Sequence, residues 1–238
     1  MKDDIDVYVL QEKLKTGFTR NSWGSFEAIW DMLYNIRRVK YIRRNQISQI
    51  KKSYDKTCSE KKINRLLELG LLEKTNNDIL IATDYSVKLL EQLGKNVSIL
   101  PEIIKGEGAI NELNNTEVFI QALKLPDFIA LLYPRFPKNK PYLIPDALLV
   151  RGTEKRYKLE FLEVEAGKTN WDNYLENKRI NYLKLAGEKR PFSYWEWQCK
   201  LLDLPIPDIK DFRFSVSIIG KAKKDFGEGF NFMESING

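Results

Sequence analysis

Residues 144 to 168, IPDALLVRGTEKRYKLEFLEVEAGK, constrain the fold more than any other stretch. Two apolar runs, Ala147 to Val150 and Tyr157 to Glu165, flank a turn-like Gly152-Thr153-Glu154-Lys155. That pattern predicts an antiparallel hairpin. Side chains alternate faces along a strand, so Glu163 and Glu165 share a face with Phe161 while Leu162 and Val164 point into a core. Asp146 stands at the entry to the first strand. Three carboxylates therefore fall on one pair of adjacent strands, and hard oxygens gathered in that way suit Mg²⁺ or Mn²⁺, ions that assist phosphodiester hydrolysis. The competing reading is a set of solvent-facing acids: Asp146 capping a turn after Pro145, Glu163 and Glu165 on an edge strand paired with Lys158 or Arg156. Against it, Glu163 and Glu165 share a face with Phe161 and follow Phe161-Leu162, and burial of unpartnered acids is costly enough that a metal or a lysine is the expected compensation.

With 238 residues, 43% of them hydrophobic and 12% aromatic, the chain has material for one large domain or two small ones. No apolar run approaches the roughly 20 residues of a membrane span, and the start MKDDIDVYVLQEK lacks the order of a signal peptide. A cytoplasmic protein without a membrane partner is the expectation. Cys58 and Cys199 are too few for a disulfide framework. The chain has no histidine, which removes His-based triads, HEXXH zinc proteases, HNH nucleases and histidine-cluster relaxases. Carboxylate, lysine and tyrosine chemistry is left.

Charge is unevenly spread. Residues 1 to 100 carry 18 Lys+Arg against 13 Asp+Glu, and Arg37 to Arg65 hold eleven bases with only Asp55 and Glu60 opposing them. Such a patch neutralises phosphates. After a polar leader, Ser25 can cap a helix with Phe26, Ile29, Trp30, Leu33 and Ile36 at helical spacing. Val39 to Ile42 reads as an extended link, and Asn45 to Lys52 as a weaker helix burying Ile47 and Ile50. Ser59 caps a third helix in which Ile63, Leu66 and Leu67 face inward, Gly70 stops the helix, and Lys61, Lys62, Asn64 and Arg65 face outward. Strands at Leu71-Leu72 and Ile79 to Ala82 follow around a Thr75 to Asp78 turn, then a helix over about Asp84 to Leu93. This is the element order of a winged helix-turn-helix, predicted for residues 22–95. Its expected contacts to double-stranded DNA are Arg43, Arg44, Ser59, Lys61, Lys62, Asn64, Arg65 and, on the hairpin tip, Asn77. The plainer alternative is a solvated basic face.

Gly94 to Gly108 reads as a junction, and a second domain is expected over 106–230. It comprises a helix from Asn111 to Leu125, a loop over Pro134 to Pro141, the acidic hairpin, and a helix capped by Thr169 or Asn170 and running to about Leu185. On that helix Lys178 and Tyr182 lie four apart, hence on one face. A strand from Phe212 to Ile219 and a frayed end, Gly227 to Gly238, complete the reading.

Pro145-Asp146, the hairpin, Glu163-Val164-Glu165 and the helix after them resemble the PD-(D/E)XK nuclease superfamily. The resemblance implies an α/β domain with a central mixed sheet flanked by helices, Asp146 and Glu163 as ligands of Mg²⁺ or Mn²⁺, and the Val164 carbonyl as a further oxygen. The family places lysine where this chain has Glu165. The positive charge would then come from Lys168 or Lys178, or hydrolysis is lost while the fold is kept. Glu112 or Glu117 on the upstream helix could add an acid. Taken with INRLLELGLLEK, the arrangement is similar to the replication-relaxation family of plasmid and mobile-element proteins, which join a winged helix to such a domain. The implied function is action on mobile-element DNA in replication, relaxation or transfer. Two alternatives stand beside it: a non-catalytic DNA-binding accessory or regulator that recruits a protein partner, and a restriction or defence endonuclease.

Overall fold

A computed structural model describes residues 5–16, 25–52, 54, 59–75, 78–103, 108–133, 145–153, 155–164, 171–187, 199–205, 215–220 and 227–233. The chain is mixed α/β and divides into two compact halves, Met1–Ile120 and Gln121–Gly238. The division falls within helix α6, Gly108–Leu123.

The N-terminal half begins with a helix, α1 (Val7–Lys15), where a polar leader is expected. Asp6 caps it by accepting from the Val9 amide at 2.9 Å, and Leu10 and Leu14, four apart, are both buried. Two apolar residues on one face suffice to dock a short helix, a signal diluted by the charges around it. Helix α2 (Phe26–Arg38) starts where Ser25 accepts from the Ala28 amide at 3.3 Å, and it buries Ile29, Trp30, Leu33 and Ile36 as its spacing predicts. Strand β1 (Ile42–Arg43) leads into α3 (Arg44–Ile50) and, further on, α4 (Glu60–Glu68). Gly70, at φ 69°, ends α4: its amide donates to the Leu67 carbonyl and the Leu71 amide to that of Leu66. This left-handed cap satisfies carbonyls the helix leaves open, and glycine adopts it without a Cβ penalty.

Strand β2 (Leu72–Lys74) pairs antiparallel with β3 (Ile79–Ala82), with Leu72 opposite Ala82, and β1 adds to the other side of β3, giving the order β1-β3-β2. Thr83 then caps α5 (Asp84–Gln92) by accepting from the Ser86 amide. Buried Arg37 joins these pieces: it donates to the carbonyls of Pro101 at 3.0 Å and Ala82 at 2.8 Å, and to Asp84 Oδ1 at 2.9 Å. Thr116 on α6 donates to the Tyr41 carbonyl at 2.6 Å, which ties the front of that helix to this half.

In the C-terminal half the described residues form a mixed sheet in the order β4-β5-β6-β7-β8. The hairpin forms as its sequence predicts: β5 (Ala147–Thr153) and β6 (Arg156–Val164) run antiparallel with Ala147 opposite Leu162 and Thr153 opposite Arg156. Gly152, at φ 125°, is required there, because a Cβ at this position would collide with the Arg156 carbonyl. Helix α7 (Trp171–Gly187) follows β6 and is succeeded by β7 (Val216–Ile219), which pairs parallel to β6 with Glu163 beside Ile218. Two strands escape sequence reading. Strand β4 (Phe128–Leu132) lines the far side of β5, and β8 (Phe230–Met233) pairs parallel to β7 where a frayed end is expected. Backbone pairing to a formed neighbour holds β8, a contribution that alternation within GFNFM does not display. The expected strand over Phe212 to Ile219 is described from residue 215 onward.

Sequence reading assigns one core face to β6. Instead Phe161, Leu162, Glu163 and Val164 are buried in succession, as are all four residues of β7. Strands flanked by neighbours and covered on both faces lose the alternation of a half-exposed strand. Glu163 is consequently internal whichever way it points.

Candidate active site

The site grows from two neighbouring backbone positions. Asp146 stands just before β5, and its amide donates to the Leu162 carbonyl at 3.1 Å, extending the hairpin ladder by one step. That registers its side chain against the end of β6, where Oδ2 accepts from the Val164 amide at 2.8 Å. The Val164 amide, rather than the carbonyl expected to bind a metal, is thus the group seen to be engaged. One residue back, Glu163 is 1% exposed.

Helix α7 supplies what a buried carboxylate needs. Lys178 Nζ lies 2.8 Å from Oε1 and 2.6 Å from Oε2 of Glu163, spanning both oxygens. The Tyr182 hydroxyl donates to Oε1 at 2.6 Å. Residues four apart on a helix share a face, so one helix delivers both donors. Lys178 also lies 5.3 Å from the ring centroid of Tyr174, four residues earlier. The Tyr182 ring packs tilted on Phe161 at 5.0 Å and edge-on to Phe230 at 6.2 Å, and the residue is 1% exposed.

Electrostatics follow from this burial. Loss of water pushes the Glu163 carboxyl up to about 7; Lys178 opposes the shift and the nearby Asp146 charge adds to it. Burial disfavours the Lys178 ammonium, yet the Glu163 and Asp146 charges outweigh it and hold the group above its ordinary value. Tyr182 is held well above the usual phenol range, by burial first and the Glu163 charge second. An acid titrating near neutrality beside a fixed ammonium can exchange a proton at physiological pH, and the ammonium can stabilise charge on a phosphate.

The structure therefore brings Asp146, Glu163 and Lys178 together and overturns the reading of Glu163 as an exposed acid paired with Lys158 or Arg156. Glu165 and Lys168 lie outside the described residues. Glu117 is exposed on α6, and the Glu112 side chain is outside the described set. Among the described residues no three carboxylates or thiols cluster as a metal cage. Tyr182 is the site residue that sequence reading leaves without a role; its spacing from Lys178 is the signal that could have assigned one.

On the N-terminal half, Arg43, Arg44, Ser59, Lys61 and Asn64 are exposed, with Arg44 3.8 Å from Glu60. Asn77 lies outside the described residues. Two expected outward bases are elsewhere. Lys62 is buried, because it lies four residues before Leu66 and shares that inner face. Arg65 turns its guanidinium to α1, donating to the Lys13 carbonyl at 3.1 and 2.6 Å, with Glu68 at 2.9 Å. A helix docked on α4 offers C-terminal carbonyls that an arginine satisfies readily. Among the described residues no helix is long and apolar enough to cross a membrane.

Comparison with family models, curated proteins and solved structures finds no match.

Proposed function

We propose that the protein acts on DNA, with the N-terminal half as a winged helix-turn-helix that docks on duplex and the C-terminal half as a PD-(D/E)XK-like site for phosphodiester hydrolysis. The context we assign is replication, relaxation or transfer of a plasmid or other mobile element. One observation carries the reading: Lys178 spans both oxygens of Glu163 while Asp146 is fixed to the next residue of the same strand. Two acids on adjacent strand ends plus an ammonium are the parts such a site requires, the lysine reaching in from α7 instead of following the acid on β6.

The donor set fits a hard divalent cation. Among the described residues Asp146 Oδ1 accepts no hydrogen bond, and Glu163 Oε2 accepts only from Lys178. Asp146 and Glu163 would hold Mg²⁺ or Mn²⁺, which would supply Lewis acidity toward a phosphate oxygen and a more acidic water. The chain's own residues do the remainder. Asp146 is oriented by the Val164 amide, which leaves Oδ1 without a donor among the described residues. Glu163, held by Lys178 and Tyr182, presents its carboxylate beside it. Lys178 provides a compact positive charge for the phosphate. In the N-terminal half the order α2-β1-α3-α4-β2-β3 supports the docking role, with exposed Arg43, Arg44, Lys61 and Asn64 as its contacts.

The test is plasmid relaxation and cutting with added Mg²⁺ or Mn²⁺. Asp146→Ala and Glu163→Ala should each abolish product while duplex binding persists. A purified protein that binds duplex yet cuts no substrate in either metal, an intact origin included, sinks the hydrolytic reading. A second reading then stands, a non-catalytic DNA-binding accessory whose C-terminal half recruits a protein partner. It draws support from the near-complete burial of Glu163 and its saturation by Lys178 and Tyr182.

A further inference from the structure

We infer that Tyr182 is a positioning residue of this site, fixing the plane of the Glu163 carboxylate and thereby the place of the Lys178 ammonium. The inference deepens and rests on the hydrolytic reading, but its geometric core stands on contacts among the protein's own side chains. An ammonium bridging both oxygens of a carboxylate, at 2.8 and 2.6 Å, is a point charge that sets the separation of the pair but does not define the carboxylate plane. A directional third donor on one oxygen defines it. Tyr182 is such a donor, at 2.6 Å from Oε1, and it cannot follow the carboxylate if it turns. Its ring is held by Phe161 on β6 and Phe230 on β8, and helix α7 fixes its backbone.

The consequence is a division of labour between the two oxygens of Glu163. Among the described residues Oε1 accepts from Tyr182 and Lys178, whereas Oε2 accepts from Lys178 alone. Asp146 is treated alike, with Oδ2 committed to the Val164 amide and no described residue donating to Oδ1. Each acid thus has one oxygen pinned by a donor that the fold holds rigidly, the Tyr182 hydroxyl for Glu163 and the Val164 amide for Asp146. Pre-orientation of this kind is what a catalytic constellation needs, since small misplacements cost large factors in rate.

The experiment compares wild type with Tyr182→Phe, which keeps the ring and its packing and removes only the hydroxyl. At pH 8 the Lys178 ammonium should give an observable ¹H–¹⁵N cross-peak, assigned by its loss in Glu163→Gln. In Tyr182→Phe that peak should broaden beyond detection with thermal stability little changed, Mn²⁺ affinity should fall about tenfold, and kcat should fall about tenfold with KM for DNA unaltered. An ammonium peak in Tyr182→Phe equal to that of wild type overturns the inference, whatever Mn²⁺ does. A wild-type ammonium too mobile to give a peak overturns it equally. If the peak is lost in the variant but neither protein binds Mn²⁺ or cuts DNA, positioning by Tyr182 holds and the hydrolytic reading fails.

Discussion

Arg37 in the N-terminal half and Lys178 in the C-terminal half are both largely withdrawn from solvent and both face a carboxylate, and the two are used in opposite ways. Arg37, its side chain 7% exposed, spends its guanidinium on the carbonyls of Ala82 and Pro101, and its carboxylate partner Asp84 is 85% exposed. Lys178, 12% exposed, spends its ammonium on a carboxylate that is itself 1% exposed. Arg37 is a planar, permanently charged fork that satisfies fixed backbone acceptors. Lys178 is a point charge facing a group whose own charge depends on pH. A cation committed to backbone carbonyls joins elements of the fold, whereas one facing a titrating acid leaves charge that chemistry can move. The first arrangement reads as architecture and the second as a site.

Replacing each cation should expose that difference. Arg37→Met orphans two buried carbonyls, so denaturant unfolding should show a loss of about 3 kcal/mol that stays flat from pH 5 to 9. A loss that varied strongly with pH would erase the contrast. Lys178→Met should behave otherwise: at pH 5 Glu163 is protonated and the cost small, while above pH 7 the lost pair should cost on the order of 2 kcal/mol. The acid itself gives the third measurement. The folded value of Glu163 is raised above its unfolded one, so its contribution is full below about pH 4.5 and is lost as pH rises through about 7. Relative to Glu163→Gln, wild type should therefore lose stability across that window. A difference flat in pH would place Glu163 in water.

The smallest expected effects lie on α4. Lys61→Glu should weaken duplex binding by about tenfold at low salt and flatten its salt dependence, with stability unchanged. Arg65→Glu should instead cost about 1 kcal/mol of stability by releasing the Lys13 carbonyl. The reverse pattern would restore Arg65 to the outer face that its position in the sequence suggests. If neither change alters binding, the N-terminal half is removed from the DNA.

Local rules carried the reading a long way. Ser25, Gly70 and Thr83 act as caps and a stop because those roles depend on neighbours within a few residues. The acidic hairpin was legible for the same reason, with Gly152 in the turn and an apolar run on either side. Strand β8 and the burial of Glu163 were not, since both depend on strands and a helix far away in the chain. Lys62 marks a reading that spacing could have corrected, since the rule that turns Leu66 inward turns Lys62 inward as well.

The sequence by itself determined the hairpin, its two described acids and a helix carrying Lys178 and Tyr182 on one face, because periodicity and turn chemistry act over short distances. Only the tertiary structure decided that α7 presents that face to Glu163, and that Arg65 serves α1 instead of the outer surface. Those choices depend on how distant elements pack, and a charge in the interior takes whatever partner that packing brings within reach.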